Sequence, residues 1–249
     1  SRERMREAPT VICPSGSMRA PDYNTVYVCR LSTLGLIHYA SVEIGRHVHV
    51  LPYLHNYALS YALFLTDSSP IKLQAERISK PTYEEDLKKL REQSLYVTPA
   101  FPIRCSTSLH VWGAKSEEIT HKEEKVSENY PPSRVSYEGI NPNSEFLFFV
   151  FSAEHLHLPS IIRIGKKKET ARVKSQEAHL SRFQSADQYT SVLLTPWDLP
   201  MDTEITSFSR LIFMPPCKLL EGAKWRAKEV LVVEHEKKYF FPPMAYGAR

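Results

Sequence analysis

The pattern of apolar and polar positions divides the chain into two helical stretches and many short extended ones. Residues 25–31 (TVYVCRL) are β-branched and aromatic, with Val26, Val28 and Arg30 on one face, and predict a first strand. Extended structure is expected to continue over 34–42 into a polar turn at 43–49. From Leu54 the apolar spacing becomes helical: Leu54, Tyr57 with Ala58, Tyr61 with Ala62, then Leu65. Leu59, Leu63 and Phe64 fill the other side, so this helix is expected to be covered over most of its circumference. Pro52 is placed at its first position, where a missing N–H costs nothing. A second helix is predicted from Thr82, which can cap it while Glu85 reaches back to the cap's N–H. Glu84, Glu85 and Asp86 open that helix, and Lys88, Lys89 and Arg91 close it, each matching the dipole. Tyr83, Leu87 and Leu90 form its inward stripe.

Residues 95–103 (LYVTPAFPI) are extended but broken by proline, which suits a sheet edge. The character changes over 105–143. There 116–128 is charge-rich and apolar-poor, and 129–143 carries Pro131, Pro132, Gly139 and Pro142. That is too long for a plain loop in a compact domain, and a long hairpin or arm leaving the core is expected. Residues 145–151 (EFLFFVF) predict a core strand. Residues 161–165 and 170–174 predict two strands joined across Lys166, Lys167, Lys168 and Glu169. Further strands are expected at 192–195 and 210–214, a turn-rich link at 197–206, and a final hairpin from 230–234 and 239–241. Two early helices followed by strands predict an α+β fold with an antiparallel sheet. Residues 1–22, polar and proline-punctuated, read as a flexible arm, leaving 23–249 as one domain.

Composition narrows the partners. The 249 residues, 42% hydrophobic and 24% charged, are those of an ordinary globular chain able to bury a sizeable core. A net charge of +4 permits a nucleic-acid partner without demanding one. Cys13, Cys29, Cys105 and Cys217 are widely separated and show no metal or disulfide spacing, which fits a reducing cytoplasm. No apolar run approaches the roughly 20 residues of a membrane span, and the first residues lack an apolar signal core. A cytoplasmic chain with no membrane partner is expected.

Three groups of residues carry candidate chemistry. A hairpin tip at Gly165, Lys166, Lys167 and Lys168, continued by Arg172 and Lys174, would project several cations together. Such groups bind phosphates without reading sequence; a merely solvated turn is the alternative. Arg46, His47, His49, Tyr53, His55, Asn56 and Tyr57 mix the side-chain types that stack on and hydrogen-bond unpaired bases; capping and core-rim contacts are the alternative. His47-x-His49 and His155-x-His157 each lack a third ligand at useful spacing, so no metal and no cofactor are expected. No nucleophile elbow, P-loop, HExxH or GxGxxG occurs. Acid–base ribonuclease chemistry needs so few groups that it stays open.

The stretches EIGRHVHVLPYLHNYALSYAL, PTYEEDLKKLREQSLYVTPAFPI, SEFLFFVFS and LPSIIRIGKKKETARV together resemble the Csc-one family, the Cas-five-type subunits of type I-D CRISPR effector complexes. The resemblance covers about residues 25–175 and is looser beyond. It implies a ferredoxin-like (RRM-type) antiparallel core with a long β-hairpin thumb at about 105–143. It implies a non-catalytic subunit that caps the 5′ handle of crRNA and touches the Cas-seven-type backbone subunit. It also implies contact with the large subunit, near target DNA and its PAM. Under it, Arg46, His47, Tyr53, His55, Asn56, Lys166, Lys167, Lys168, Arg172 and Lys174 are the expected RNA contacts. Such a core needs a second helix, for which 176–188 is the leading candidate. Some Cas-five-type relatives process crRNA, and under that alternative His47, His55 and Tyr57 are the first suspects.

Overall fold

The computed structural model describes residues 21–38, 42–44, 47–65, 83–113, 134–165 and 168–247. In chain order the elements are β1 (Thr25–Thr33), β2 (Val42–Ile44), β3 (His47–His49) and α1 (Asn56–Ser60), which runs into a π-helical turn at Tyr61–Leu65. Then come α2 (Tyr83–Glu92), β4 (Leu95–Val97), β5 (Phe101–Arg104), β6 (Thr107–Gly113), β7 (Arg134–Ile140), β8 (Glu145–Ser152) and β9 (Ile161–Ile164). The last part holds β10 (Glu169–Leu194), a 3-10 turn at Pro196–Asp198, β11 (Glu204–Ser207), β12 (Arg210–Ile212), β13 (Leu219–Glu234) and β14 (Lys238–Phe241).

A sheet-rich α+β architecture results. The main sheet has ten strands in the order β11-β13-β10-β1-β8-β4, with β5 also on β8, β9 also on β10, and β12 and β14 also on β13. Each of these pairings is antiparallel. A second sheet, β2-β3-β7-β6, contains a parallel pair, β3 with β7. Its base is tied to the main body where Ile37 and Ile140 exchange both backbone hydrogen bonds, at 2.9 and 3.0 Å.

β8 explains why the core sits where it does. From Phe146 to Phe151 every side chain is buried, so this strand is covered on both faces, as its unbroken apolar run requires. One cover is the C-terminal hairpin: Phe149 meets Tyr239 and Phe241 edge-on at 4.7 and 5.0 Å, and Phe151 meets Phe241 at 5.2 Å. Such ring pairs add to the roughly 1.5–3 kcal/mol that burying each side chain contributes.

Several expectations shift. Residues 176–188 are not a helix; they are the middle of β10, a 26-residue strand. Gln, Glu, Ala, Leu and Arg are good helix formers, but their intrinsic preference is under 1 kcal/mol per residue. Pairing with β1 and then β13 outweighs it, setting Leu180 opposite Val233 and Phe183 opposite Val230. Pro52 does not open the first helix. That helix starts at Asn56, and the His55 side chain caps it by accepting from the Tyr57 N–H. The cap predicted at Thr82 and the stretch 66–82 lie outside the described residues, as does the arm at 1–20. The proline-broken segment at 95–103 forms β4 and β5, two short strands on the outer side of β8. β6 and β7 form the base of the predicted thumb, and 114–133 lies outside the described residues.

Candidate nucleic-acid interface

Residues directly opposite each other in an antiparallel pair project from the same face. β1 and β10 set Arg30 opposite Lys174 and Ser32 opposite Arg172. β9 and β10 set Ile161 opposite Arg172 and Arg163 opposite Thr170. Arg30, Arg163, Arg172 and Lys174 therefore share one face and are exposed, while Ile162, Ile164, Ala171 and Val173 alternate with them into the core. Along β10 the period of two separates Arg172 from Lys174 by about 6.7 Å, and Arg30 stands one strand, about 4.8 Å, to the side. The row continues across β8 to β5, where Arg104 lies opposite Glu145 and pairs with it at 3.2 Å. Arg30 pairs with Glu236 at 3.1 Å. Both contacts are solvent-exposed and weak enough to exchange for a phosphate.

The turn joining β9 to β10 is shaped by Gly165, whose φ is +84°. A Cβ there would lie 2.9 Å from the carbonyl oxygen of His38, so only glycine fits. The Lys168 N–H donates to the Gly165 carbonyl at 3.1 Å, and Lys168 is exposed. Lys166 and Lys167 lie outside the described residues. The arrangement offers exposed cations side by side on one sheet face, suited to contacting a backbone of phosphates.

The stretch around α1 turns out differently. Arg46 lies outside the described residues, and His47 is placed only as a residue of β3. The other three expected contacts belong to the interior: His55 and Asn56 have no exposed surface, and Tyr53 is 5% exposed. They are not surface contacts for RNA, because their polar atoms are satisfied from within. His55 Nδ1 accepts from the Tyr57 N–H at 3.2 Å, so the ring proton sits on Nε2 and is donated to the Cys217 carbonyl, also at 3.2 Å. Burial holds this imidazole neutral, lowering its pKa to about 4. The Tyr53 hydroxyl meets the Glu221 carboxylate at 3.4 Å and accepts from Arg210 at 3.3 Å.

Asn56 is one arm of a buried cluster centred on Asp198. Its Nδ2 donates to Asp198 Oδ2 at 2.8 Å, and its Oδ1 accepts from Thr195 Oγ1 at 3.0 Å. The carboxylate also accepts from the hydroxyls of Tyr57 and Tyr96, both at 3.0 Å, and from the Gly247 N–H at 3.1 Å. Burial raises the Asp198 pKa to about 6, against the opposite pull of those donors. Tyr246, from the same C-terminal segment, bonds Ser60 and accepts from the Val97 N–H at 3.0 Å. The cluster ties α1, β4, the 3-10 turn and the C-terminal segment together.

Sequence reasoning missed Arg163 as a candidate and did not join Arg30 to Lys174; only the register brings them together. Asp198 had no local signal, being a single acid among Pro196, Trp197, Leu199 and Pro200. His49, by contrast, is on the surface, its Nδ1 3.3 Å from Glu138. Among the described residues no group of three His, Cys, Asp or Glu is placed to hold a metal ion, and no helix among them is long and apolar enough to cross a membrane.

Comparison with curated proteins finds no match. The model of the family described as type I-D CRISPR-associated protein Cas5/Csc1 matches residues 24–248, which take in both sheets, the cationic face and the Asp198 cluster. The chain belongs to the type I-D CRISPR-associated Cas5/Csc1 family.

Proposed function

We propose that this chain is a non-catalytic subunit of a type I-D CRISPR RNA-guided complex and holds the 5′ handle of the crRNA on the β1–β10–β9 face. The observation that carries the reading is the shared exposed face of Arg30, Arg163, Arg172 and Lys174; Lys166, Lys167 and Lys168 stand close to it in the sequence. Guide–target pairing reads sequence in such complexes, while protein holds backbone and shape; a cationic sheet face serves that division. The β6–β7 hairpin is the thumb that meets the Cas-seven-type backbone subunit. The large subunit and the target DNA near its PAM are the other neighbours.

Strand order supports a ferredoxin-like (RRM-type) ancestry for the core. Taking β1, β4, β8 and β10 as its four strands, they lie in the order fourth, first, third, second, with α1 and α2 between the first two. The connection from β8 to β10 holds β9 where a second helix would stand. The burial of His55 and Tyr57 favours the non-catalytic reading over the ribonuclease alternative, since a general base must reach its substrate.

The test is a crosslinking map of crRNA in the assembled complex. Crosslinks from the 5′ handle to β9, β10 and their turn are expected. Handle crosslinks confined to other subunits would overturn the assignment. So would a discrete cut of repeat RNA by the purified chain in EDTA that is lost on His47→Ala.

A further inference from the structure

The tip of the β13–β14 hairpin reaches back to the cationic face. Its turn is tight: the His235 N–H donates to the Lys237 carbonyl at 3.2 Å, and below it Glu234 faces Lys238 and pairs with it at 2.7 Å. The rings of Tyr239 and Phe241 against Phe149 fasten the hairpin to β8. Two side chains of the tip then meet the β1–β10 pair. His235 Nε2 lies 3.1 Å from Gln176 Oε1, and Gln176 follows Lys174 on the same side of β10. Glu236 Oε1 accepts from the Arg30 guanidinium at 3.1 Å, across 206 positions of sequence.

This contact singles out one cation. Among the described residues Arg30 carries an ion pair, while Arg163, Arg172 and Lys174 on the same face carry none. The planar guanidinium fork takes a carboxylate and a phosphate in the same way, so the Glu236 carboxylate stands where a backbone phosphate would. The side chains of Arg30 and Glu236 keep 50% and 72% of their surface, so the pair is weak and open to a ligand. Its carboxylate arrives on a packed hairpin, which spares it much of the ordering cost of holding that position. Displaced by a phosphate, it would still repel that phosphate from nearby.

We infer that Glu236 is a built-in competitor for the RNA phosphate at Arg30, an autoinhibitory contact that a strand overcomes by gripping Arg163, Arg172 and Lys174 at the same time. An isolated phosphate meets Arg30 already occupied, whereas a strand spanning the face has three other cations to hold it while Glu236 is displaced. The inference deepens the RNA reading of the β1–β10–β9 face and rests on it.

Anisotropy titrations of the full chain with a labelled crRNA handle at low salt test it. Glu236→Gln should bind the handle about fivefold more tightly than the parent, the gain from freeing one exposed cation. Arg30→Ala should bind more weakly. Adding Glu236→Gln to Arg30→Ala should then restore less than about twofold, because the competitor has nothing left to occupy. An unchanged or weaker affinity in Glu236→Gln overturns the inference. So does a fivefold gain that persists without Arg30, which is a general effect of net charge. The double variant Arg172→Ala, Lys174→Ala separates the two readings. If it binds the handle like the parent, the RNA reading falls and the inference with it. If it binds more weakly while Glu236→Gln changes nothing, the inference alone falls.

Discussion

The side-chain amide of Asn56 donates to the carboxylate of Asp198 at 2.8 Å, joining a helix to a turn 142 positions away, with neither residue exposed. Around this bond the chain closes its interior. Removing one partner of a buried polar pair leaves the other unsatisfied, which costs more than the bond itself contributed. Asn56→Ala strips one donor from Asp198 and the acceptor from Thr195 Oγ1. Its unfolding free energy in urea should fall by about 3 kcal/mol.

The same cluster predicts opposed pH effects. Asp198 titrates near 3.8 when free and near 6 in the fold. Folding therefore favours its protonated form. That stabilisation is full below about pH 4 and is lost as the pH rises through about 6. His55 is lowered from 6.5 to about 4. Its contribution is present above about 6.5 and is lost as the pH falls through about 4. The two trends oppose each other over one window, so each single variant uncovers the other. Going from about pH 7 to about pH 4.5, Asp198→Asn should lose about 2 kcal/mol relative to the parent chain, and His55→Gln should gain a similar amount. Urea titrations at the two pH values measure both.

The cationic face should be separable from the fold. Arg30, Arg172 and Lys174 are exposed and contribute little to stability. The triple alanine variant should melt with the parent chain. Its crRNA-handle binding should weaken, and the slope of log affinity against log salt should flatten by about 2, roughly 0.7 per lost phosphate contact on a single strand. A salt titration of handle binding reads this directly.

Glu138 fastens the β6–β7 hairpin to the segment leading into the core. Its carboxylate accepts from Thr107 Oγ1 at 2.7 Å and from the Val50 N–H at 3.2 Å, and meets His49 at 3.3 Å. Partial burial pushes its pKa up, but those donors outweigh it and hold the carboxyl below its usual value. The latch is therefore strongest above the usual carboxylate range and fails as the pH falls through the depressed value. Glu138→Ala should speed amide hydrogen exchange across β6, β7 and Val50 while leaving β1 and β8 protected.

The hairpin can be shortened without touching the core, provided the cut respects Ile140. That residue is wholly buried and bonded to Ile37 on both backbone groups. Replacing 112–135 with Asn-Gly joins Val111 to Ser136, which already face each other, through a two-residue turn suited to a hairpin. The shortened chain should keep its melting temperature and fail to assemble with the Cas-seven-type subunit. Normal assembly in size-exclusion chromatography would count against the thumb.

The sequence by itself determined the elements whose apolar pattern had only one way to be buried. β1, β8, α2, the β9–β10 turn and the β13–β14 hairpin were legible because alternation, a continuous apolar run or a charge gradient names the element locally. Tertiary structure alone decided everything that depends on a partner distant in the chain. Residues 176–188 became strand because β13 supplies the backbone hydrogen bonds that a helix would have made internally. His55 and Asn56 read equally well as surface or interior groups until Cys217 and Asp198 arrived to satisfy them. Arg30 joined Lys174 only when antiparallel register set them side by side. Local propensities amount to tenths of a kcal/mol per residue, whereas an unsatisfied buried polar group or an unpaired strand costs several times more; the longer-range term therefore decided these positions.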